Sequence, residues 1–370
     1  MQWWQLLFYI FCLFTAIQVF YYLFFFIRLV FFKSPKKTTS QTHPVSVIIC
    51  ARDEAANLAK NLPGALLQNY RTTHEVIVVN DNSYDESKYV VEEFQRSFKH
   101  LRLVELTQEA KMIPGKKFPL SMGIKASKYE IVLLTDADCV PASEFWIDKI
   151  QETYGDDTEI VLGYGAYHKK SGLLNKLIRW ETFHTALQYL SYSLAGLTYM
   201  GVGRNLSYKK TIFYRHKGFS AHNHVTSGDD DLFIRTAATK TNTRINIDAD
   251  TFTLSEPARS FGEWVRQKNR HFSTGKYYKF IHKFFLGMYA FTHFFFYPLF
   301  ITSMIFYNWQ WALIVFGIRF LLQVIVYYPS MKKLKELDLF PFFLFFDIWM
   351  FFYYFIFSFS VVGKGRKSWK

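Results

Sequence analysis

"IVLLTDADCVP", residues 131–141, decides the fold. Ile131, Val132, Leu133 and Leu134 read as a strand buried on both faces. The run ends in two aspartates one residue apart, Asp136 and Asp138. Two carboxylates aimed off the end of a buried strand call for a partner outside the strand.

The same pattern recurs upstream. Val45–Cys50 (VSVIIC), Glu75–Asn80 (EVIVVN) and Leu101–Leu106 read as three more strands. Helical stretches lie between them, around Ala55 to Gln68, Glu86 to Phe98 and Leu120 to Ala126. Strands alternating with helices predict an α/β domain, its sheet mainly parallel and covered on both faces. Ligands of such sheets bind outside the carboxyl ends of the strands. The first strand exits into Arg52, Asp53 and Glu54, the second into Asp81 to Asp85, the fourth into Asp136 and Asp138.

A single aspartate after a strand is commonly a turn residue or helix cap. Three acidic exits at one edge repel one another unless cations neutralise them. Mg²⁺ or Mn²⁺ takes oxygen ligands and shares them with substrate phosphates. Asp138 is suited to hold such an ion against a diphosphate, and Asp81 to accept hydrogen bonds from a base or ribose. Lys116, in Gly115–Lys116–Lys117, is placed to reach the same phosphates. The sequence has no Walker A motif and no G-x-G-x-x-G after the first strand, which counts against kinase-type and Rossmann-type readings.

In order along the chain stand VSVIICARDEAAN (45–57), VVNDNSYDES (78–87), GKKFPLSMGIKAS (115–127), TDADCVP (135–141), GVGRNLSYKK (201–210), SGDDDLF (227–233) and QKNRH (267–271). This ordered set resembles the family 2 glycosyltransferases, inverting enzymes with a GT-A fold, and spans residues 45 to 280. The resemblance implies a mixed sheet flanked by helices. It implies that Arg52, Glu54, Asp81, Lys116, Asp136 and His271 bind a nucleotide sugar, with Asp138 as metal ligand. It places the catalytic base at Asp229, with Asp230 beside it, and adds Gln267 and Arg270 of a Q-x-x-R-W motif to the catalytic set. Gly228 stands where many members have Glu, and Asp53 where the usual residue is Asn. His271 replaces the Trp that stacks on the growing chain in polymer-making members. That change, with the few C-terminal spans, argues for a single sugar transfer to a lipid or lipid-linked acceptor, and the resemblance implies a UDP-sugar as donor. A short processive polysaccharide synthase and an inactive membrane scaffold are the alternatives.

Half of the 370 residues are hydrophobic and a fifth aromatic, and they gather at the two ends. Trp3 to Phe32 is almost continuously apolar, longer than a signal peptide's apolar core and followed by Lys33, Lys36 and Lys37. It reads as an uncleaved anchor. Phe284 to Tyr307, Trp311 to Tyr328 and Leu339 to Val362 read as further spans, the last containing Asp347. The expected organisation is an anchor (1–33), a polar linker (34–44), the transferase domain (45–280), a membrane region of two to three spans (281–363) and a basic tail (364–370).

The net charge of +14 sits largely beside these spans, which fits anionic lipid head groups rather than nucleic acid. The positive-inside rule puts the middle domain in the cytoplasm of an inner-membrane protein. A last span that crosses would carry the basic tail outside, against the rule. Either that segment is re-entrant or interfacial, or the tail is an exception. Leu173 to Met200 has helical spacing, and reads as a helix packed in the domain or one lying on the membrane to guide a lipid acceptor. His222 and His224 fit an acceptor-side loop. The three cysteines show no paired spacing, so neither a disulfide framework nor a zinc site is expected.

Overall fold

In the computed structural model, residues 3–34, 43–107, 113 and 115–358 are described. Four strands stand where hydrophobic runs predict them: β1 (Val45–Ala51), β2 (His74–Asp81), β3 (Leu101–Leu106) and β4 (Ile131–Asp136). Helices α2 (Ala55–Leu66), α3 (Ser87–Ser97) and α4 (Lys117–Ala126) connect them. Beyond lie β5 (Cys139–Pro141), β6 (Ile160–Leu162), β7 (Gly165–Tyr167), β8 (Leu206–Lys209), β9 (Thr243–Ile245) and β10 (Thr253–Ser255). The main sheet has the order β3-β2-β1-β4-β8-β6-β9, and β5-β10-β7 form a second, small sheet.

Register fixes the functional edge. Cys50 lies opposite Asp136, and Ala51 opposite Asn80, so the three acidic exits leave the sheet side by side. β8 runs antiparallel to β4, with Leu134 opposite Leu206. It therefore brings its entry, Arg204 and Asn205, to the edge where its parallel neighbours bring their exits. The sheet is mixed for this reason.

One face of the sheet packs on α2 and α3. The other packs on α4 and on α5 (Leu173–Leu194), and that core continues without a break into the apolar helices. These are α1 (Trp3–Phe31), at the start of the chain, and α8 (Phe280–Phe306), α9 (Trp309–Lys333) and α10 (Phe343–Ser358), which follow α6 (Asp231–Ala237) and α7 (Phe261–Phe272) of the α/β domain. Four helical stretches are long and apolar enough to cross a membrane, the last counted from Leu337.

Of the two readings of residues 173–200, the structure shows a packed helix that ends at Leu194. Trp180, Phe183, Leu187, Leu190 and Tyr192 are all buried, because the sheet covers one side of α5 and the inner ends of the apolar helices the other. The reading of α5 as a helix lying on the membrane is thereby corrected. The helices at the C-terminal end also begin earlier than hydropathy suggests, at Phe280 and Trp309. Most of the linker, residues 359–363 and the basic tail lie outside the described residues.

Asp347 is explained by its surroundings. Arg319 donates to both its carboxylate oxygens, at 2.8 and 3.2 Å, Gln323 donates at 2.8 Å, and Tyr297 donates as well. Both members of the pair are 1% exposed. A charge among apolar helices is tolerated only with such a partner.

Candidate active site

The first two exits form one knitted surface. Asp53 and Asn82 adopt left-handed backbone with φ of 53° and 51°, a conformation that Asn and Asp enter more readily than bulkier residues. The Asp53 carboxylate accepts the Tyr84 N–H at 2.7 Å, and the Asp53 N–H donates to Ser83 Oγ at 3.0 Å. Ser87 Oγ accepts from Glu54, and the Asp85 carboxylate from Ala55. Arg52 lies 3.9 Å from the Asp81 carboxylate. Glu54 is held by Asn57.

Asp136 and Asp138 leave β4 next to this surface. One ligand atom each from Asp136, Asp138 and Cys139 lies within 4.8 Å of the others. Among the described residues this is the one group of three or more such side chains that could hold a metal ion, and neither His222 nor His224 belongs to one. The donor set suits a hard divalent ion through its carboxylates. The Cys139 thiol is pushed well above its usual value by burial and the two aspartates, so it stays protonated and donates to Asp138 at 3.3 Å.

Lys116 pairs with Asp136. Burial alone would raise Asp136, but the Lys116 ammonium holds it below its ordinary value, and Arg204 and Arg270 act the same way. Asp138 is raised by burial and by Asp136 beside it. The next residue, Lys117, points elsewhere: its ammonium donates to the carbonyls of Val225 and Ser227. Gly115, at φ +79°, lies so close that an added Cβ would sit 2.1 Å from the Thr226 oxygen. Gly115 and Lys117 thus clamp the loop that leads into Asp229, while Lys116 faces the metal-type carboxylates.

The three consecutive aspartates have three fates. Asp231 is buried and accepts from Thr274 and Tyr278 at 2.6 and 2.8 Å. Asp230 caps α6, its two oxygens taking the N–H groups of Gly203 and Asp231 at 2.8 and 2.7 Å. Burial, with Asp229 and Asp231 on either side, pushes Asp230 up to about 8. Asp229 precedes the cap and is half-buried, and its charge acts on Lys116.

Arg204 is a site residue that the sequence did not single out. Its guanidinium lies over the Tyr167 ring at 4.3 Å and donates to Ser255 and the Gly165 carbonyl. Its charge acts on both Asp136 and Asp138. Its position inside the GVGRN stretch, just ahead of an antiparallel strand, was the available signal. Gln267 donates to the Tyr167 hydroxyl at 3.3 Å, which ties α7 to this arginine. His271 is open to solvent within the cleft, yet dense surroundings and the cations of Lys268, Arg270 and Arg204 hold its imidazole neutral. The structure therefore gathers Arg52, Asp81, Lys116, Asp136, Asp138, Asp229 and Arg270 around one cleft.

Residues 46–217 match the model of Glycosyl transferase family 2. The chain is 26% identical over 239 residues to the glycosyltransferase AglE of Haloferax volcanii, covering 63% of this chain and 73% of that protein. It is 30% identical over 103 residues to the beta-monoglucosyldiacylglycerol synthase of Nostoc sp., covering 27% of this chain and 21% of that protein. Its fold is similar to that of the mannosyltransferase PcManGT of Pyrobaculum calidifontis, solved in complex with GDP-Man and Mn²⁺. The TM-score is 0.61 at 18% identity, over 94% of this chain and 95% of that one.

Proposed function

Because this chain belongs to the family 2 glycosyltransferases, with a GT-A fold and apolar helices fit for a membrane, we propose a specific transfer reaction. It moves one sugar, with inversion, from a nucleoside diphosphate sugar to a lipid or lipid-linked acceptor. The observation that carries this reading is the meeting of two carboxylate types in one cleft seated on the apolar helices. Asp136 and Asp138 form a metal-type pair, and the charge of Asp229 acts on Lys116, the partner of Asp136.

Asp81 accepts an N–H of the base, uracil in the preferred donor, with Arg52 and Glu54 beside it. Asp138 would hold Mn²⁺ or Mg²⁺, which when bound supplies a Lewis acid to the leaving diphosphate. Lys116, Arg204 and Arg270 add fixed positive charge where the leaving group becomes more negative. Asp229 accepts the acceptor hydroxyl's proton. It suits that role better than Asp230, whose oxygens already take two backbone N–H groups. The catalytic domain faces the cytoplasm, on the side where the basic flanks accumulate.

The test uses the full chain in detergent with labelled UDP- and GDP-sugars, Mn²⁺ or Mg²⁺ and a membrane lipid extract. One labelled lipid is expected on thin-layer chromatography. Asp229→Asn should lower its formation about 10²–10⁴-fold, and Asp138→Asn should abolish the metal dependence. Label held at the origin as polymer would favour a processive synthase. Absence of both turnover and donor binding would overturn the transferase assignment in favour of a scaffold.

A further inference from the structure

Helix α10 meets its neighbours differently from the other apolar helices. α1 and α8 form a lengthwise seam: Trp4 stacks on Phe306 at 4.4 Å, Phe11 meets Phe296 at 5.3 Å, and Tyr21 reaches Phe285 at 6.4 Å. Two spans crossing together pack this way. α10 instead rests on a short stretch of α8. The Asp347 carbonyl faces His293 Nε2 at 3.0 Å, Phe351 stacks on Phe294 at 4.6 Å, and the Tyr354 ring lies 5.5 Å from that same His293. Over these contacts and that of Tyr297 with Asp347, two turns of α10 (Asp347 to Tyr354) meet about one turn of α8 (His293 to Tyr297), so the two helices run obliquely rather than along a shared seam.

The catalytic domain, by contrast, follows α10 along its length. Phe346 stacks on Trp180 at 5.2 Å, the Tyr353 hydroxyl donates to Glu181 at 3.2 Å, and Phe357 meets Phe272 at 5.3 Å. A helix leaving the domain to cross a bilayer would shed such contacts after its first turns. The remaining face is apolar and exposed: Phe345, Ile348, Phe352 and Phe355 are 41–56% exposed at helical spacing. Exposed apolar side chains continue along α1, α8 and α9, so one apolar medium surrounds them all.

We propose that α10 does not cross the membrane. It lies in the plane of the membrane surface on the catalytic side, with the Phe345-to-Phe355 stripe set among lipid acyl chains. Three helices then cross, and Lys364, Arg366, Lys367 and Lys370 follow α10 on the side of the catalytic domain, where the positive-inside rule wants them. For a transferase with a lipid acceptor, this sets α7 and its Arg270 at the depth of lipid head groups. The topology stands whether or not that chemistry does.

Two measurements on the full chain in vesicles test it. Single cysteines at 345, 348, 352 and 355, in a Cys12→Ala background, would carry nitroxide labels whose depth is read by collision with oxygen and a polar nickel chelate. The expected result is one shared depth, within about 5 Å; a crossing helix would spread the labels over about 15 Å, at ~1.5 Å per residue. An epitope after Lys370 should be cut by protease in the same vesicles in which the catalytic domain is cut, while one placed at Asn308 survives. A depth gradient, or a protected C-terminal epitope, would overturn the proposal.

Discussion

Two carboxylates of this chain are treated in opposite ways. Asp347, among the apolar helices, is surrounded by Arg319, Gln323 and Tyr297, and its charge is cancelled inside the protein. Asp230, beside the cleft, has two backbone N–H groups, no ion pair among the described residues, and a carboxylate on either side. The apolar bundle closes its electrostatics internally, as a structural element must. At Asp230 the fold supplies backbone N–H groups and like-charged neighbours instead of a counter-charge, so that carboxyl keeps its proton up to about pH 8.

That contrast can be broken most forcefully with paired variants. Asp229→Asn should cut turnover by about a thousandfold while moving the thermal midpoint little. Asp347→Ala should do the reverse. It strands the Arg319 guanidinium, costing about 3–5 kcal/mol, with turnover per folded molecule preserved. Replacing both partners, Arg319→Met with Asp347→Leu, should recover most of that loss, since apolar packing often substitutes for a buried pair. An Asp347→Ala protein of normal stability and poor turnover would erase the distinction.

Gly115→Ala comes next. Its Cβ has no room beside the Thr226 oxygen and φ is positive, so about 1–3 kcal/mol is lost, with turnover falling as the Asp229 loop shifts. A lowered midpoint in thermal unfolding together with a lowered rate is the expected pair of readings.

A smaller effect follows from pH. Asp230 holds its proton up to about pH 8 in the folded chain, against an ordinary value of 3.8. The fold binds that proton more tightly than the unfolded chain does. Its contribution is therefore full below about pH 4 and is lost as pH rises towards 8. Wild-type thermal midpoints, compared with those of Asp230→Asn across pH 5 to 8, should show the steeper decline in the wild type. The smallest change expected is Asp53→Asn, which keeps the acceptor for Tyr84 N–H and tolerates the same φ. Its stability should stay within about 0.5 kcal/mol of wild type, whereas Asp53→Ala should lose more.

The carboxyl ends of β1, β2 and β4 were legible because hydrophobic runs define strands and register follows from their parallel pairing. Arg204 was not, because attention to strand exits overlooks an antiparallel strand that delivers its entry to the same edge. The ordering of Asp229, Asp230 and Asp231 was half legible. Which of them caps α6 depends on where a helix starts, and one residue of shift exchanges the proposed base for a cap. The orientation of α10 showed in the sequence only as a conflict, because a crossing span would set the basic tail against the positive-inside rule. Crossing and surface-lying helices of this length can share the same residues, and only their contacts tell them apart.

The Lys333 ammonium donates to the carbonyls of Leu29, Val30 and Phe32, where α1 ends. Those oxygens lack intrahelical donors, and a lysine from another helix supplies all three. The first helix is thus a fixed post rather than a leash. A chain shortened by removing it would not simply release a soluble enzyme. It would bare the apolar surface of α5 and α8 that Tyr21, Tyr22, Phe25 and Phe26 cover, and strand the lysine that closes the joint, so a shortened chain is expected to aggregate before it shows any activity.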